Sequence, residues 1–348
     1  MQIDRRFSRM TRRGAMKGVA AASLALGLPA ILRAAPSQMV VATGGGKLEE
    51  AYQKSVYTPW TAKTGIKIVG APNTSAKLKA MVEQKAYEWD ICQVAAEFAA
   101  QAAKQGLLEP LDYGVIDKSK MLPNTCFEHF IVSDVVAYHI AWTTKNVKPG
   151  AEPKNWAEFW KAPGRRGLWK RPFQTMEVAL MADGVDKDKL YPLDVDRALK
   201  SLDKIKASTL FWNTGAQSAQ ILIDGEVEIS ATWNGRVHDP KRAGAPVDYH
   251  YNQALFVSDA WAIPKGAPNK KEAMEMIALA MSPRGQADFA KLIPYGPTNT
   301  AALALLDAPT LEALPSSEAN FKKGVFLDVT YWADNGDRVG PMFEKWVL

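Results

Sequence analysis

The sequence predicts an α/β protein with two lobes. Short apolar runs typical of strands alternate with segments whose apolar residues recur at helical spacing, and this alternation favours parallel sheets covered by helices. The chain has 348 residues, and the roughly 310 that follow an N-terminal leader exceed what one hydrophobic core commonly supports. The chain contains no internal repeat or low-complexity tract that would indicate another architecture.

The leader has the three parts of a bacterial export signal. A basic stretch ending at Lys17 precedes 15 uncharged residues (18–32), and a small-residue cleavage region follows. The uncharged run is shorter than the about 20 residues that a transmembrane helix needs. Arg12 and Arg13 follow Thr11 and resemble the twin-arginine consensus, although Ala15 stands where that consensus has Phe. We therefore predict a twin-arginine signal peptide over residues 1–35 and a periplasmic protein exported by the twin-arginine machinery.

The leader also explains the positive charge of the chain. Of its 43 Lys and Arg and 37 Asp and Glu, seven and one respectively lie in residues 1–35, which leaves 36 of each. A neutral mature chain removes the electrostatic argument for nucleic acid or an anionic membrane surface as a partner.

The two cysteines suit an exported protein without a disulfide. Cys92 and Cys126 are 34 positions apart, and each lies among apolar residues. We expect two buried free thiols, with a disulfide as the alternative.

The first part of the mature chain predicts one lobe. Residues 48–64 carry apolar side chains at helical spacing, and Gly65 ends that helix. The order strand, helix, strand, helix, strand, helix is that of a doubly wound sheet, in which ligands bind beyond the carboxyl ends of the strands. The predicted strands are 39–42, 66–69 and 89–94, and the predicted helices are 48–64, 75–86 and 95–105.

The middle of the chain predicts a second lobe. The apolar strand 135–143 is interpreted as the passage into it, and a strand over 254–263 as the return passage. The other predicted elements are helices at 155–160, 195–205, 216–223, 270–281 and 284–293 and a strand at 227–233.

Several of these segments, in this order, resemble the periplasmic spermidine/putrescine-binding family. The similarity covers nearly all of residues 38–345. The segments that carry it are Lys63-Thr64-Gly65-Ile66-Lys67, Ala76-Lys77-Leu78-Lys79, Trp156-Ala157-Glu158-Phe159-Trp160, Gly225-Glu226-Val227, Trp233-Asn234-Gly235, Ser258-Asp259-Ala260-Trp261-Ala262-Ile263-Pro264 and Tyr295-Gly296-Pro297-Thr298-Asn299.

The resemblance implies a type II periplasmic-binding-protein fold, with two doubly wound lobes joined by crossing hinge strands. Lobe 1 would comprise 36–141 and 261–304, and lobe 2 would comprise 142–260 and 305–348. Such a protein, expected to be a monomer without a cofactor, binds a small molecule in the cleft by hinge closure and delivers it to an ABC permease in the inner membrane. It performs no chemistry on its ligand.

The resemblance also implies three ligand-binding residues. Trp233, Asp259 and Tyr295 match the family's positions for aromatic contact with methylenes and carboxylate contact with ammonium groups. Each has a structural alternative. Trp233 at a strand end suits a core, Tyr295 suits turn packing, and Asp259, in an apolar strand, needs either a ligand or a protein cation as partner.

Other positions depart from the family. Its acidic pair falls on Arg171 and Gln174, and its aromatic pair after the first strand falls in the Gly44-Gly45-Gly46 run. A glycine run entering a helix suits an anion, so Gly45 and Gly46 are candidates. Arg236 is a candidate cation, with a solvated surface arginine as its alternative. We predict a ligand with an anionic group, its amine on Asp259, and we add Ser75, Gln174 and Trp212 as further candidates.

Two other classes are weighed against this one. A ferric-ion binder of the same fold needs converging tyrosine and carboxylate oxygens, and Tyr249 and Tyr251 are separated by His250. The four histidines show no metal-ligand spacing. An exported enzyme is disfavoured because the chain has no nucleophile elbow, His-Glu-x-x-His motif or phosphate loop.

Overall fold

The computed structural model describes residues 36–348. The predicted signal peptide therefore lies outside the described residues. The described chain contains two sheets, in agreement with the prediction of two lobes. The strands are β1 Gln38–Thr43, β2 Lys67–Pro72, β3 Ile91–Ala95, β4 Phe130–Val132, β5 Val136–Thr143, β6 Arg166–Trp169, β7 Thr209–Trp212, β8 Ile229–Trp233, β9 Val247–Val257, β10 Asp259–Ala262 and β11 Val325–Phe326.

Helices cover both sheets. A continuous helical stretch over 46–64 changes to a π-helical turn at Gln53–Tyr57, so the single predicted helix is present with a local widening. The α-helices are α1 Gly46–Tyr52, α2 Thr58–Thr64, α3 Ser75–Gln84, α4 Ala96–Lys104, α5 Trp156–Lys161, α6 Thr175–Ala182, α7 Val195–Asp203, α8 Gly215–Asp224, α9 Asn234–Arg242, α10 Lys270–Ala280, α11 Pro283–Ala290, α12 Thr300–Leu303, α13 Ala308–Ala313, α14 Glu318–Phe321 and α15 Val329–Val347.

The first sheet has the strand order β2-β1-β3-β10-β4. Strands β1, β2 and β3 are parallel, and β10 runs antiparallel to β3 and β4. Met39 and Val41 of β1 belong to one hydrophobic cluster, whereas Val40 and Ala42 pack with another. Because side chains alternate along a strand, these clusters cover opposite faces of the sheet. The sheet is therefore buried on both sides, as a parallel sheet requires.

The second sheet has the order β11-β9-β5-β8-β6-β7. Strands β6, β7 and β8 are parallel, and β5 runs antiparallel to both β8 and β9. Both sheets are consequently mixed, with parallel strands at the positions predicted for a doubly wound fold and antiparallel strands where the chain changes sheets.

The chain passes between the sheets at two strand junctions. Residues 133–135 separate β4 of the first sheet from β5 of the second. The predicted single strand over 254–263 is wrong, because Ser258 interrupts it: β9 belongs to the second sheet and β10 to the first. The Ser258 carbonyl is free of the ladder and accepts the amide of Ala96 at 3.0 Å. Asp259 is therefore the first residue of a strand, at the junction itself.

Both cysteines are free thiols, as predicted. Cys92 is fully buried and its burial raises its pKa to about 12, so it is an unreactive core residue. Cys126 is only partly buried. Across residues 36–348, no helix combines the length and the apolar character needed to cross a bilayer.

Candidate ligand-binding site

Three tryptophans lie at the carboxyl ends of neighbouring parallel strands. Trp169, Trp212 and Trp233 are the last residues of β6, β7 and β8. Their ring centroids are 4.9 Å (Trp169–Trp233), 5.1 Å (Trp212–Trp233) and 6.0 Å (Trp169–Trp212) apart. Trp212 is fully buried, whereas Trp169 and Trp233 are partly exposed. Trp212 thus supports the cluster from behind, and the other two rings form its accessible face.

The predicted residues Gln174 and Trp233 contact each other directly. Trp233 Nε1 donates to Gln174 Oε1 at 2.9 Å, and the Gln174 side chain is buried. The backbone of Gln174 has a φ of 67°, in the left-handed region that disfavours a residue with a side chain. The hydrogen bond to Trp233 thus holds a strained residue at the start of α6.

The residues that follow Trp233 join the second sheet to the loop that carries Tyr295. The Asn234 side chain accepts from the Ala137 amide at 3.0 Å and donates to the Pro294 carbonyl. A β-carbon at Gly235 would collide with the Tyr295 ring, so glycine allows that ring to approach α9 closely. This arrangement places Tyr295 against the start of α9, next to Trp233.

Arg236 lies on the same turn. Its guanidinium occupies the space that a side chain at Gly215 would need, at the start of α8. It is exposed, and residues 36–348 provide it with no hydrogen bond or ion pair. The positive charge of Arg236 lowers the pKa of Tyr295. Burial and the charges of Asp259 and Asp134 raise that pKa by more. Arg236 is therefore an unpaired cation beside the predicted aromatic residues.

Asp259 also interacts electrostatically with Tyr295, whose pKa its charge raises. It is partly exposed, and no basic group within the described chain pairs with it. Burial raises the pKa of its carboxyl. The structure thus brings Trp233, Tyr295, Arg236 and Asp259 to one region, and no cation of residues 36–348 pairs with Asp259.

A second buried acid, Asp134, lies next to Asp259. It is 0% exposed, and its Oδ2 accepts from Ser133 Oγ at 2.7 Å, Gln93 Nε2 at 3.2 Å and Tyr52 Oη at 3.3 Å. Burial, followed by the charge of Asp259, raises the pKa of Asp134. The sequence analysis missed Asp134. Its position in the apolar run 130–137 is the same signal that identified Asp259, since an unpaired carboxylate there is costly.

Two further acids were also missed. Glu97 lies in the first turn of α4, and burial, Asp259 and Glu177 together raise its pKa to about 7. Glu177 of α6 is fully buried, and its Oε1 accepts from Trp332 Nε1 at 2.6 Å and Tyr191 Oη at 2.8 Å. Burial raises the pKa of Glu177 to about 7. From the sequence, Arg171 and Gln174 stand where the family has two acids. Glu97 and Glu177 compensate for part of that loss.

The remaining candidates stand apart from this group. Gly45 and Gly46 have φ values of 71° and 61°, and the Gly45 amide already donates to Thr43 Oγ1 at 3.1 Å. Thr43 in turn contacts the Glu49 carboxylate in the first turn of α1. Ser75 is exposed at the start of α3 and makes no contact with the Asp259 region. Arg171 is exposed after β6. Within residues 36–348, no three His, Cys, Asp or Glu converge as metal ligands.

Two α/β lobes with acids, aromatic rings and a free cation at the ends of their strands define a binding protein for a small solute. The chain belongs to the bacterial extracellular solute-binding protein family, whose model matches residues 55–319. It is the periplasmic substrate-binding component of an ABC transporter. It works with a permease and is not an enzyme.

Named relatives support this assignment. The gamma-aminobutyric acid-binding protein of Pseudomonas aeruginosa is 33% identical over 334 residues, which cover 92% of this chain and 94% of the relative. The spermidine/putrescine-binding periplasmic protein of Escherichia coli is 26% identical over 264 residues, 71% of this chain and 74% of the relative. The solved ABC transporter substrate-binding protein from Bradyrhizobium japonicum has a TM-score of 0.85 and 34% identity, covering 90% of this chain and 100% of that one. The predicted family resemblance and two-lobed fold are confirmed.

Proposed function

We propose that the solute is a short zwitterion of the γ-aminobutyrate type, with its ammonium at Asp259 and its carboxylate at Arg236. The observation that carries this proposal is the opposition of charges around Tyr295. Its hydroxyl experiences the carboxylates of Asp259 and Asp134 and the guanidinium of Arg236 together. One ligand with one charge of each sign satisfies both groups.

The placement of the ligand's ammonium at Asp259, the amine end of the site, is supported by the lack of a counter-ion within the described chain. Within the described chain, neither Asp259 nor Asp134 forms an ion pair with Lys, Arg or His. A buried carboxylate without a cation is unfavourable, so an ammonium ligand relieves a cost that the empty protein bears. Trp233 and Tyr295 provide ring faces for the methylenes and for the edge of the cation.

The anion end is assigned to Arg236 in preference to the glycine run. An anion at Gly45 and Gly46 would meet the Glu49 carboxylate, whose pKa burial raises, and would compete with Thr43 for the Gly45 amide. Arg236 has neither obstacle, and a guanidinium binds a carboxylate through two parallel hydrogen bonds. The γ-aminobutyric acid-binding relative, which is similar over most of both chains, agrees with a ligand of this type.

Glu97 favours a second candidate, a diamine. Its carboxyl interacts with both Asp259 and Glu177, and residues 36–348 give its side chain no basic partner. A second ammonium there would resemble the ligands named for the Escherichia coli relative. We rank the diamine below the zwitterion because Arg236 would repel a second positive charge.

A set of four-carbon compounds tests the proposal. Thermal unfolding is followed with γ-aminobutyrate, butylamine, butyrate and putrescine at equal concentration, because a ligand that binds the folded state raises the transition temperature. We expect γ-aminobutyrate to give the largest shift, butylamine a small one and butyrate none. A larger shift with putrescine than with γ-aminobutyrate would reject the zwitterion in favour of the diamine. No shift with any amine would reject both.

The export route, the lobe limits and the oligomeric state also belong to this proposal. Residues 1–35 would direct export through Arg12 and Arg13, and lobe 1 (36–141, 261–304) and lobe 2 (142–260, 305–348) would close as a monomer. Two such lobes are supported by the sheets, since the first draws its strands from 38–132 and 259–262 and the second from 136–257 and 325–326. The double variant Arg12→Lys, Arg13→Lys should leave unprocessed precursor in the cytoplasm, and unchanged periplasmic yield would exclude the twin-arginine route. Light scattering measures the mass.

A further inference from the structure

Asp134 is not one of the proposed ligand contacts, yet hydrogen bonds from several segments hold its carboxyl in place. Three donors from three parts of the first lobe converge on its Oδ2, namely Tyr52, Gln93 and Ser133. Its other oxygen, Oδ1, is buried, and residues 36–348 provide it with no hydrogen bond. A buried hydrogen-bond acceptor without a donor is energetically costly.

The neighbour of this carboxyl is Asp259. The Ser133 amide donates to the Asp259 carbonyl at 2.9 Å, and the Asp134 carboxyl faces the Asp259 backbone amide. The titratable groups around the pair are Tyr52 from α1, Glu97 from α4 and Tyr295 from the loop after α11. None of these three groups is positively charged in either of its protonation states. The Arg236 cation, which also influences Tyr295, is exposed to solvent.

Two neighbouring carboxylates, one fully buried and one only partly exposed, resist ionising together without a compensating charge. Burial and then the charge of Asp259 raise the pKa of Asp134, and burial raises the pKa of Asp259. Such a pair titrates as a unit, and its upper step belongs to both residues.

We propose that Asp134 and Asp259 hold one proton between them in the empty protein and release it when an ammonium group binds at Asp259. Asp134 is then a second, positioning residue of the amine site. The release half of this inference rests on the proposed function, whereas the proton-holding half does not.

The exchange balances without another reactant. The empty pair carries one proton and one negative charge. An arriving R–NH3⁺ keeps its three protons, donates hydrogen bonds to Asp259 and supplies the positive charge that both carboxylates lacked. The proton of the pair leaves to water, and no covalent bond other than that O–H bond breaks. The positive charge in the site is conserved, so ligand affinity rises with pH while the empty pair is still protonated.

The first test needs no ligand. Protein with ¹³C-labelled aspartate carboxyls is titrated by NMR from about pH 5 to pH 9, a range that includes the ordinary carboxyl and histidine pKa values. We expect a carboxyl that keeps its proton to near-neutral pH in the wild type and is missing in Asp134→Asn. Asparagine has the shape of the protonated acid, and its amide oxygen keeps an acceptor for Tyr52, Gln93 and Ser133. Ionisation of every aspartate below about pH 5 would overturn the proposal.

The second test counts protons on binding. γ-Aminobutyrate is titrated calorimetrically at pH 7 in phosphate and in Tris, whose ionisation heats differ. For the wild type we expect a heat difference that corresponds to release of up to one proton, with affinity rising by at most about tenfold per pH unit. Asp134→Asn should bind with no buffer dependence and a flat pH profile. Asp134→Glu, which keeps the acid, should restore proton release if the asparagine variant folds poorly.

The outcomes separate the two proposals. Binding with equal heats in both buffers would overturn proton release and leave the zwitterion proposal standing. A retained proton in the NMR titration without binding of any amine would support the pair and reject the proposed function. Equal proton release in the wild type and Asp134→Asn would exclude Asp134 as the residue responsible.

Discussion

The amine end and the anion end of the proposed site differ in how their charges are held. At the amine end, Asp134 is fully buried and fixed by three donors, and Asp259 begins a strand at the junction between the sheets. At the anion end, Arg236 is exposed and has no partner within the described chain.

This difference separates two ways to build a charged site. A buried charge carries a desolvation cost before the ligand arrives, so its interaction with the ligand is strong and weakly screened. An exposed arginine keeps its hydration, and its contribution is small until closure excludes water. We therefore expect the amine end to dominate affinity and the anion end to dominate selection among amines.

Substitution of the buried charge is expected to have the largest effect. Asp259→Asn should weaken γ-aminobutyrate binding by about 3 kcal/mol, or more than 100-fold in Kd, since it removes the charge that the ammonium needs. Calorimetry measures Kd, and urea unfolding should show an empty protein that is no less stable, because a repulsion with Asp134 is lost. Asp188→Asn, at an exposed acid, is the control. Unchanged affinity in Asp259→Asn would break the comparison.

Glu177 tests whether a buried acid outside the amine site retains a proton as proposed for the Asp134–Asp259 pair. Its folded pKa of about 7 lies above the ordinary glutamate value, so between about pH 4.5 and 7 the folded state holds a proton that the unfolded state has lost. Stability therefore falls as pH rises through this window. Glu177→Gln should match the wild type at pH 5 and exceed it by about 2 kcal/mol at pH 8 in urea unfolding. Parallel pH profiles for the two proteins would contradict this assignment.

Substitution of the exposed cation should change selectivity more than affinity. Arg236→Ala should weaken γ-aminobutyrate binding by about 1.4 kcal/mol, roughly tenfold, while putrescine binding stays equal or improves as a repulsion disappears. Raised salt should reduce the wild-type preference in the same direction. Arg242→Ala, at an exposed arginine on the same helix, is the matched control. An equal loss for both ligands would show that Arg236 acts only through packing.

The tryptophan cluster should give the smallest change. Trp233→Phe keeps a ring but removes the donor to Gln174, so we expect about 1 kcal/mol lower stability and a roughly threefold higher Kd. Trp212→Phe alters a fully buried ring at the end of the next strand but one and should leave Kd unchanged. Equal effects of the two variants on Kd would place Trp233 in the core rather than at the ligand.

Much of the fold was predictable because periodicity and glycine positions carry it. The strands ending at Thr43, Trp233 and Ala95 were predicted within a few residues, as were the helices after Thr43 and Ala95, whereas α9 after Trp233 was not predicted. The break at Ser258 was not predicted, because Ser258 and Asp259 read as two polar residues within one apolar strand, and polar residues alone do not indicate a change of sheet. Only the partner strands distinguish the two halves, and pairing partners are a property of the tertiary structure.

The site was predicted less evenly. The contact between Trp233 and Gln174 joins two candidates that the sequence placed 59 positions apart without linking them. Asp134, Glu97 and Glu177 were not among the residues predicted from the sequence. An acid in an apolar run should itself be treated as a candidate, since burying it requires a compensating partner. Which of these acids face one another depends on how strands from distant parts of the chain pair.

The interruption at Ser258 has a mechanical consequence. Asp259 follows directly on the residue where the chain leaves one sheet for the other. If the two sheets rotate about this junction when the proposed ligand binds, the Asp259 carboxylate changes its position relative to both sheets very little. A contact between α1 and α9, such as Lys47 with Asp239 at 2.7 Å, then changes more, so ligand recognition and the change that a permease detects depend on different residues.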